Sequence, residues 1–189
     1  MKIRNSLIVI VLLACIVACD TDLSLKSETS KKDLENAPFF NIASFIEKEI
    51  NSTLIKVGTV HKTVTINGKA ESENIVVKNW YDELSPFINA DINRPAWHDK
   101  YLQKKTILPD SSIQKEYYAL MDILKTRNII VRQNSEATHL SILNQEKTLS
   151  TDNTTQLIYE TGKGYSIKTT QRLLNSVDTI IIDAKFVND

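Results

Sequence analysis

The chain has 189 residues with 23 basic and 23 acidic side chains, so its formal charge is zero at pH 7. A nucleic-acid-binding surface needs a clustered excess of Lys and Arg, whereas the lysines here are interleaved with acids, so we expect no nucleic-acid partner. The only cysteines, Cys15 and Cys19, lie near the N-terminus. Residues beyond them therefore hold no disulfide and no thiolate metal site.

The first eighteen residues have the pattern of an export signal. Lys2 and Arg4 are followed by an uncharged apolar run over residues 7–18. A spanning helix needs about 20 apolar residues, so a positive start and a run of this length predict a signal peptide over residues 1–18.

The end of this run predicts a lipid anchor. Ile16-Val17-Ala18-Cys19 resembles the lipobox of bacterial lipoproteins, although Ile16 stands where the family most often has leucine. The resemblance implies that Cys19 becomes the first, acylated residue of the mature protein. Leu12-Leu13-Ala14-Cys15 fits the same pattern, but cleavage there would shorten the apolar run. An ordinary secretory signal or an uncleaved anchor are the other interpretations.

A polar stretch separates the proposed anchor from a domain. Residues 20–36 are rich in Ser, Thr, Lys, Asp and Glu, and their three leucines are too sparse to bury a face. We therefore expect a lipidated tether over residues 19–36 and a single domain over residues 37–189, a length typical of one hydrophobic core.

The domain begins with a helical pattern. Phe39, Ile42, Ala43, Ile46 and Ile50 follow the i, i+3, i+4, i+7 spacing of one helix face. Pro38 favours the first turn, so the pattern predicts an amphipathic helix that begins there.

A β-hairpin is predicted next. Asn67-Gly68 separates two strand-like runs over residues 57–66 and 69–77 and is typical of a two-residue type I′ turn. That turn pairs Ile66 with Lys69, Val64 with Glu71, Lys62 with Glu73 and Val60 with Ile75, and it sets His61 opposite Asn74. We expect Lys62 and Glu73 to form an ion pair.

A second helical segment follows the hairpin. Asn79 is a good N-cap, and Asp82 and Glu83 stand in the first turn, where the helix dipole favours acids. Pro86 interrupts the pattern, which predicts a kink or two short helices.

The rest of the chain is predicted to be strands. Strand-like runs occupy residues 101–108, 113–121, 128–133, 138–143, 155–160, 165–173 and 179–187, with short turns between them. Short connections join antiparallel neighbours. The predicted fold class is α+β, an antiparallel β-meander that is curved and covered on one face by the N-terminal helices.

The sequence offers little catalytic chemistry. The three histidines, His61, His98 and His139, have no metal-ligand spacing, and no Gly-x-Ser-x-Gly motif is present, so we expect no metal, no cofactor and no enzyme activity. Gly162-Lys163-Gly164 is predicted to be a hairpin turn rather than a phosphate loop. The alternative is an envelope hydrolase using His98 with Asp99 beside it.

The lipobox, together with the segments at residues 45–50 and 91–97, resembles small lipoproteins of Bacteroidota-type bacteria, and this resemblance implies no activity. It implies the outer membrane, whereas Asp20 would retain the protein at the inner membrane under the enterobacterial rule. The outline also resembles lipoprotein-carrier and lipocalin-like folds. We expect a membrane-anchored lipoprotein of the cell envelope with a non-catalytic binding or assembly role, toward an apolar ligand or a protein partner.

Overall fold

The structure, a computed structural model, describes residues 38–187. Its helical segments are α1 (Ile42–Ser52), α2 (Trp80–Glu83) and α3 (Ser85–Ile88), with 3-10 turns at Leu54–Lys56 and Pro95–Trp97. Its nine strands are β1 (Thr59–Ile66), β2 (Lys69–Val76), β3 (Tyr101–Ile107), β4 (Ile113–Ala119), β5 (Thr126–Gln133), β6 (Thr138–Lys147), β7 (Asp152–Glu160), β8 (Gly164–Arg172) and β9 (Val177–Val187). The predicted combination of a large antiparallel sheet with a few helices is confirmed.

The strands form one open antiparallel sheet. Their order is β2-β1-β9-β8-β7-β6-β5-β4-β3, so β3 to β9 form the predicted meander. The N-terminal hairpin joins this meander through β1, which pairs with β9 along its whole length. The early strand β1 is therefore a neighbour of β9, the last strand of the chain. The two edge strands of the sheet are β2 and β3.

The predicted hairpin register is confirmed. β1 and β2 pair Ile66 with Lys69, Val64 with Glu71, and Val60 with Ile75. Asn67 and Gly68 both have positive φ, as a type I′ turn requires. The predicted ion pair between Lys62 and Glu73 is wrong. Lys62 pairs with Glu83 of α2 instead, and its Nζ lies 2.5 Å from Oε1 of that residue.

The first helix begins later than Pro38. Asn41 is its N-cap and accepts a hydrogen bond from the Ser44 amide at 2.8 Å, so the first helical residue is Ile42. The second helical segment is divided into two short helices, as expected, and the break is at Leu84, two residues before Pro86. Asn79 caps α2 by accepting from the Tyr81 amide at 3.0 Å, and Pro86 lies in the first turn of α3.

The core lies between these helices and one face of the sheet. Phe45 of α1 packs edge-to-face on Tyr159 of β7, with ring centroids 5.8 Å apart. Trp80 of α2 packs on Phe186 of β9 at 5.7 Å. Fully buried side chains come from both layers: Ile42, Ile46, Leu84, Phe87, Ile129, Leu140, Ile142 and Leu157. The helices and the sheet therefore stabilise each other through one apolar layer.

Candidate functional site

The face of the sheet opposite the helices is more polar. Side chains alternate between the two faces along each strand, and the buried apolar strand residues point toward the helices. On the opposite face, register aligns Ile158 of β7, Ser166 of β8, Asp183 of β9 and Thr63 of β1 in one row. None of these four strands is an edge of the sheet, and a binding surface is more precise on such strands than on loops.

A depression of about 400 Å³ is centred on this row, and we call it the Gly164 depression. Register places Gly164 of β8 between Glu160 of β7 and Lys185 of β9, so one position in the adjacent row has no side chain. The side chains around the gap are those of Thr63, Ile158, Glu160, Lys163, Ser166, Asp183 and Lys185. The depression opens to solvent rather than into the core.

The backbone at Gly164 accepts only glycine. Its φ is +151°, and a Cβ placed there would lie 2.0 Å from the carbonyl oxygen of Ala184. Gly162, two residues earlier, also has positive φ, which confirms the hairpin turn predicted at residues 162–164. The turn is fixed on β9 by a 2.9 Å hydrogen bond from the Phe186 amide to the Lys163 carbonyl. Close approach of β8 to β9 thus forms the floor of the depression.

Charges of both signs surround the depression. The Lys163 ammonium contacts the Glu160 carboxylate across the turn. Asp183 and Lys185 are exposed and stand two residues apart on β9, pointing to the same face. Within residues 38–187, neither of these two forms an ion pair. A ligand that presents both a cationic and an anionic group would find a partner for each.

Two polar contacts in the core connect the helices to the sheet. The Tyr159 hydroxyl donates to Glu49 Oε2 at 2.9 Å, and the Tyr165 hydroxyl donates to the Glu83 carboxylate that also binds Lys62. Burial, and then the adjacent carboxylate, raises the pKa of Tyr159. The pKa of Tyr165 is raised by burial and by its bond to Glu83. These tyrosines therefore stay neutral donors, which suits a structural role.

The predicted lipidation site lies outside the described residues. This applies to Cys19 and to its alternative Cys15, and also to the tether at residues 19–36.

His98 and Asp99 both lie at the surface, and the structure shows no hydrogen bond between their side chains. His98 is exposed, and its ring packs edge-to-face against Phe39 with centroids 6.4 Å apart. The Asp99 carboxylate accepts a 2.9 Å hydrogen bond from Lys100 Nζ, and this bond lowers the pKa of Asp99. Asp99 therefore orients a lysine rather than the imidazole of His98.

The other histidines lie on separate strands. His61 faces Asn74 as predicted, with Nδ1 and Oδ1 2.8 Å apart. His139 stands opposite Glu160 in the β6–β7 register. Among the residues that the structure describes, no group of three His, Cys, Asp or Glu side chains converges on a potential metal site.

Sequence reasoning missed the residues that surround the depression. The turn at residues 162–164 was recognised, but Asp183 and Thr63 become its neighbours only through the pairing of β8 with β9 and of β9 with β1. The β9–β1 contact joins segments about as far apart in sequence as the domain allows, and alternating strand patterns carry no signal for such a pairing.

Comparison with known proteins found no matching family model, no matching curated protein and no matching solved structure. Over residues 38–187, no helix is long and apolar enough to cross a bilayer.

Proposed function

We propose that the chain is a lipid-anchored protein of the bacterial cell envelope whose domain binds a protein partner without catalysis. The lipobox-like run that ends at Cys19 supports the anchor, and the outer membrane is the destination its resemblance implies. The single observation that supports binding is the Gly164 depression on the helix-free face of the sheet.

A protein partner fits this site better than an apolar ligand. The depression is open, and its lining includes the charged residues Glu160, Asp183, Lys163 and Lys185 beside Ile158, Tyr165 and Ala184. An apolar carrier would instead use the space between helices and sheet, where Phe87, Leu140 and Leu157 are fully buried against one another. A polar segment of another protein presents the backbone and charged groups that this lining can bind.

The sheet face is a better docking surface than the sheet edges. The edge strand β2 carries Lys69, Glu71 and Glu73, and the other edge, β3, carries Lys104 and Lys105. Charges on edge strands oppose the addition of a further strand. A partner would accordingly bind across the strands.

The hydrolase alternative has less support from the geometry. It requires that His98 lie in a cleft with a second polar group delivered from a distant strand. His98 packs on Phe39 at the surface, and its neighbour Asp99 is bound to Lys100. We therefore place binding ahead of catalysis.

The binding proposal is tested by photo-crosslinking in cells of the native host. A photoreactive residue at Thr63 should crosslink to a distinct protein, whereas the same residue at Ser135, in the turn between β5 and β6, should not. Lys185→Glu should abolish the crosslink, and Lys168→Glu, on the same face outside the depression, should retain it. Absence of a crosslink, or one insensitive to Lys185→Glu, would contradict the proposal.

A further inference from the structure

An apolar patch lies at one corner of the sheet, and we call it the corner patch. Its members are exposed apolar side chains of β3, β4 and the β4–β5 loop: Leu102, Tyr118, Leu120, Met121 and Ile123. Leu102 and Tyr118 face each other in the β3–β4 register. Ile123 is 85% exposed, and clustered exposed apolar side chains of this kind mark an interaction surface.

The loop holds these side chains outward. The Leu120 amide donates to the Lys100 carbonyl at 2.9 Å, and the Arg127 guanidinium binds both the Met121 carbonyl and, at 2.6 Å, the Asp122 carboxylate. Leu124 is the one apolar residue of the loop that is buried. Local bonding thus fixes the exposure of Leu120, Met121 and Ile123.

The chain reaches the described domain at this same corner. Phe39 is buried against the first residue of β3, Tyr101, with ring centroids 5.9 Å apart. Its amide donates to Asn93 Oδ1 at 3.2 Å, which ties Phe39 to the segment before β3. Phe39 lies on the helix side of the sheet, whereas Leu102 and Tyr118 lie on the other side, and the β4–β5 loop follows the end of β4.

We infer that the corner patch docks on the lipid surface to which the chain is anchored, an inference that rests on the proposed function. A chain spans at most about 3.5 Å per residue, so a lipid on Cys19 lies no farther than ~65 Å from Pro38. Such attachment gives the patch a high effective concentration at the bilayer, where even weak apolar insertion is sufficient for docking.

The charges near the patch favour a neutral lipid surface. Three cations beside the patch are paired with acids: Arg127 with Asp122, Lys125 with Glu146 and Lys100 with Asp99. Docking is therefore driven by apolar insertion and should not depend on anionic lipids or on salt.

The test uses the full lipidated chain in phosphatidylcholine vesicles that contain nitroxide-labelled lipid. An environment-sensitive fluorophore is attached to Ile123→Cys and, as the matched control, to Ser135→Cys in the β5–β6 turn, at the end of β5 opposite the β4–β5 loop. The lipid nitroxide should quench the fluorophore at residue 123 at least twofold more than at residue 135, whereas aqueous iodide should quench residue 135 more. This difference should be the same in 0.05 and 0.5 M salt.

Intact mass on the same samples separates this inference from the proposed function. Acyl chains on Cys19 with equal lipid quenching at both positions would overturn the docking inference and leave the anchor standing. Residue 123 shielded from both quenchers would indicate a second copy of the chain on the patch and would also overturn it. A mass without acyl chains would remove the proposed anchor and this inference with it.

Discussion

The hydroxyl of Tyr159 on β7 donates a 2.9 Å hydrogen bond to Oε2 of Glu49 on α1, and both side chains are buried. An acidic side chain in the interior is costly unless its oxygens are hydrogen-bonded. This contact therefore explains how the otherwise apolar stripe of α1 accommodates a glutamate on its buried side.

Tyr159→Phe should destabilise the domain by about 1–3 kcal/mol, because it leaves the Glu49 carboxylate buried without this partner. Tyr165→Phe is the matched control and should cost less, since Glu83 keeps its 2.5 Å contact with Lys62. The free energy of unfolding in urea measures both effects. Equal losses, or no loss for Tyr159→Phe, would contradict the assigned roles.

Stability should fall steeply in alkaline solution. Burial raises the pKa of Tyr101 to about 12, and burial also raises the pKa values of Tyr117, Tyr159 and Tyr165. A raised pKa means that folding favours the protonated hydroxyl, so its contribution is complete below the unfolded pKa of about 10 and is lost as pH rises from there toward the folded pKa.

Unfolding free energies measured from pH 8 to pH 11.5 check this expectation. Each of these tyrosines can contribute a slope of up to about 1.4 kcal/mol per pH unit above pH 10. Tyr159→Phe should reduce this slope by the contribution of one tyrosine, up to about 1.4 kcal/mol per pH unit. A free energy that stays constant up to pH 11.5 would contradict the burial of these hydroxyls.

Gly164→Ala should be strongly destabilising, by about 3 kcal/mol or more, because the new Cβ would lie 2.0 Å from the Ala184 carbonyl oxygen. Gly58→Ala is the control, since nothing lies within 4 Å of a Cβ there. Thermal unfolding of both variants makes the comparison. Similar melting temperatures for the two variants would show that β8 and β9 are farther apart than described.

Lys62→Met should cost about 1–3 kcal/mol, because Glu83 would lose its cation in a partly buried setting where the two side chains are 17% and 23% exposed. Glu73→Gln should change stability by less than about 0.5 kcal/mol, although Glu73 faces Lys62 in the register. Chemical denaturation of the two variants distinguishes the two possible partners. A larger loss for Glu73→Gln would restore the pairing expected from the sequence.

Local features of this fold were predictable from the sequence, and distant ones were not. The Asn67-Gly68 turn determines the register of Val60 against Ile75, since two-residue closure allows one pairing. The division of the second helical segment just before Pro86 likewise follows from proline geometry. The start of α1 was misplaced because Pro38 and Asn41 both suit a helix start, and the Asn41 side chain forms the cap.

The partner of Lys62 shows why the candidate site was harder to predict. Strand pairing supplies Glu73 as a neighbour, but packing of α2 on the sheet brings Glu83 to the ammonium group. The Gly164 depression depends in the same way on the pairing of β9 with β1, which no turn residue encodes.

Intact mass spectrometry of protein extracted in detergent from the native host tests the proposed anchor most directly, together with membrane fractionation of a Cys19→Ala variant. We expect a mature chain that begins at Cys19 with acyl chains on that residue, and a variant that leaves the membrane fraction. A native mass without lipid, or acyl chains on Cys15 instead, would contradict the assignment of Cys19 as the anchor.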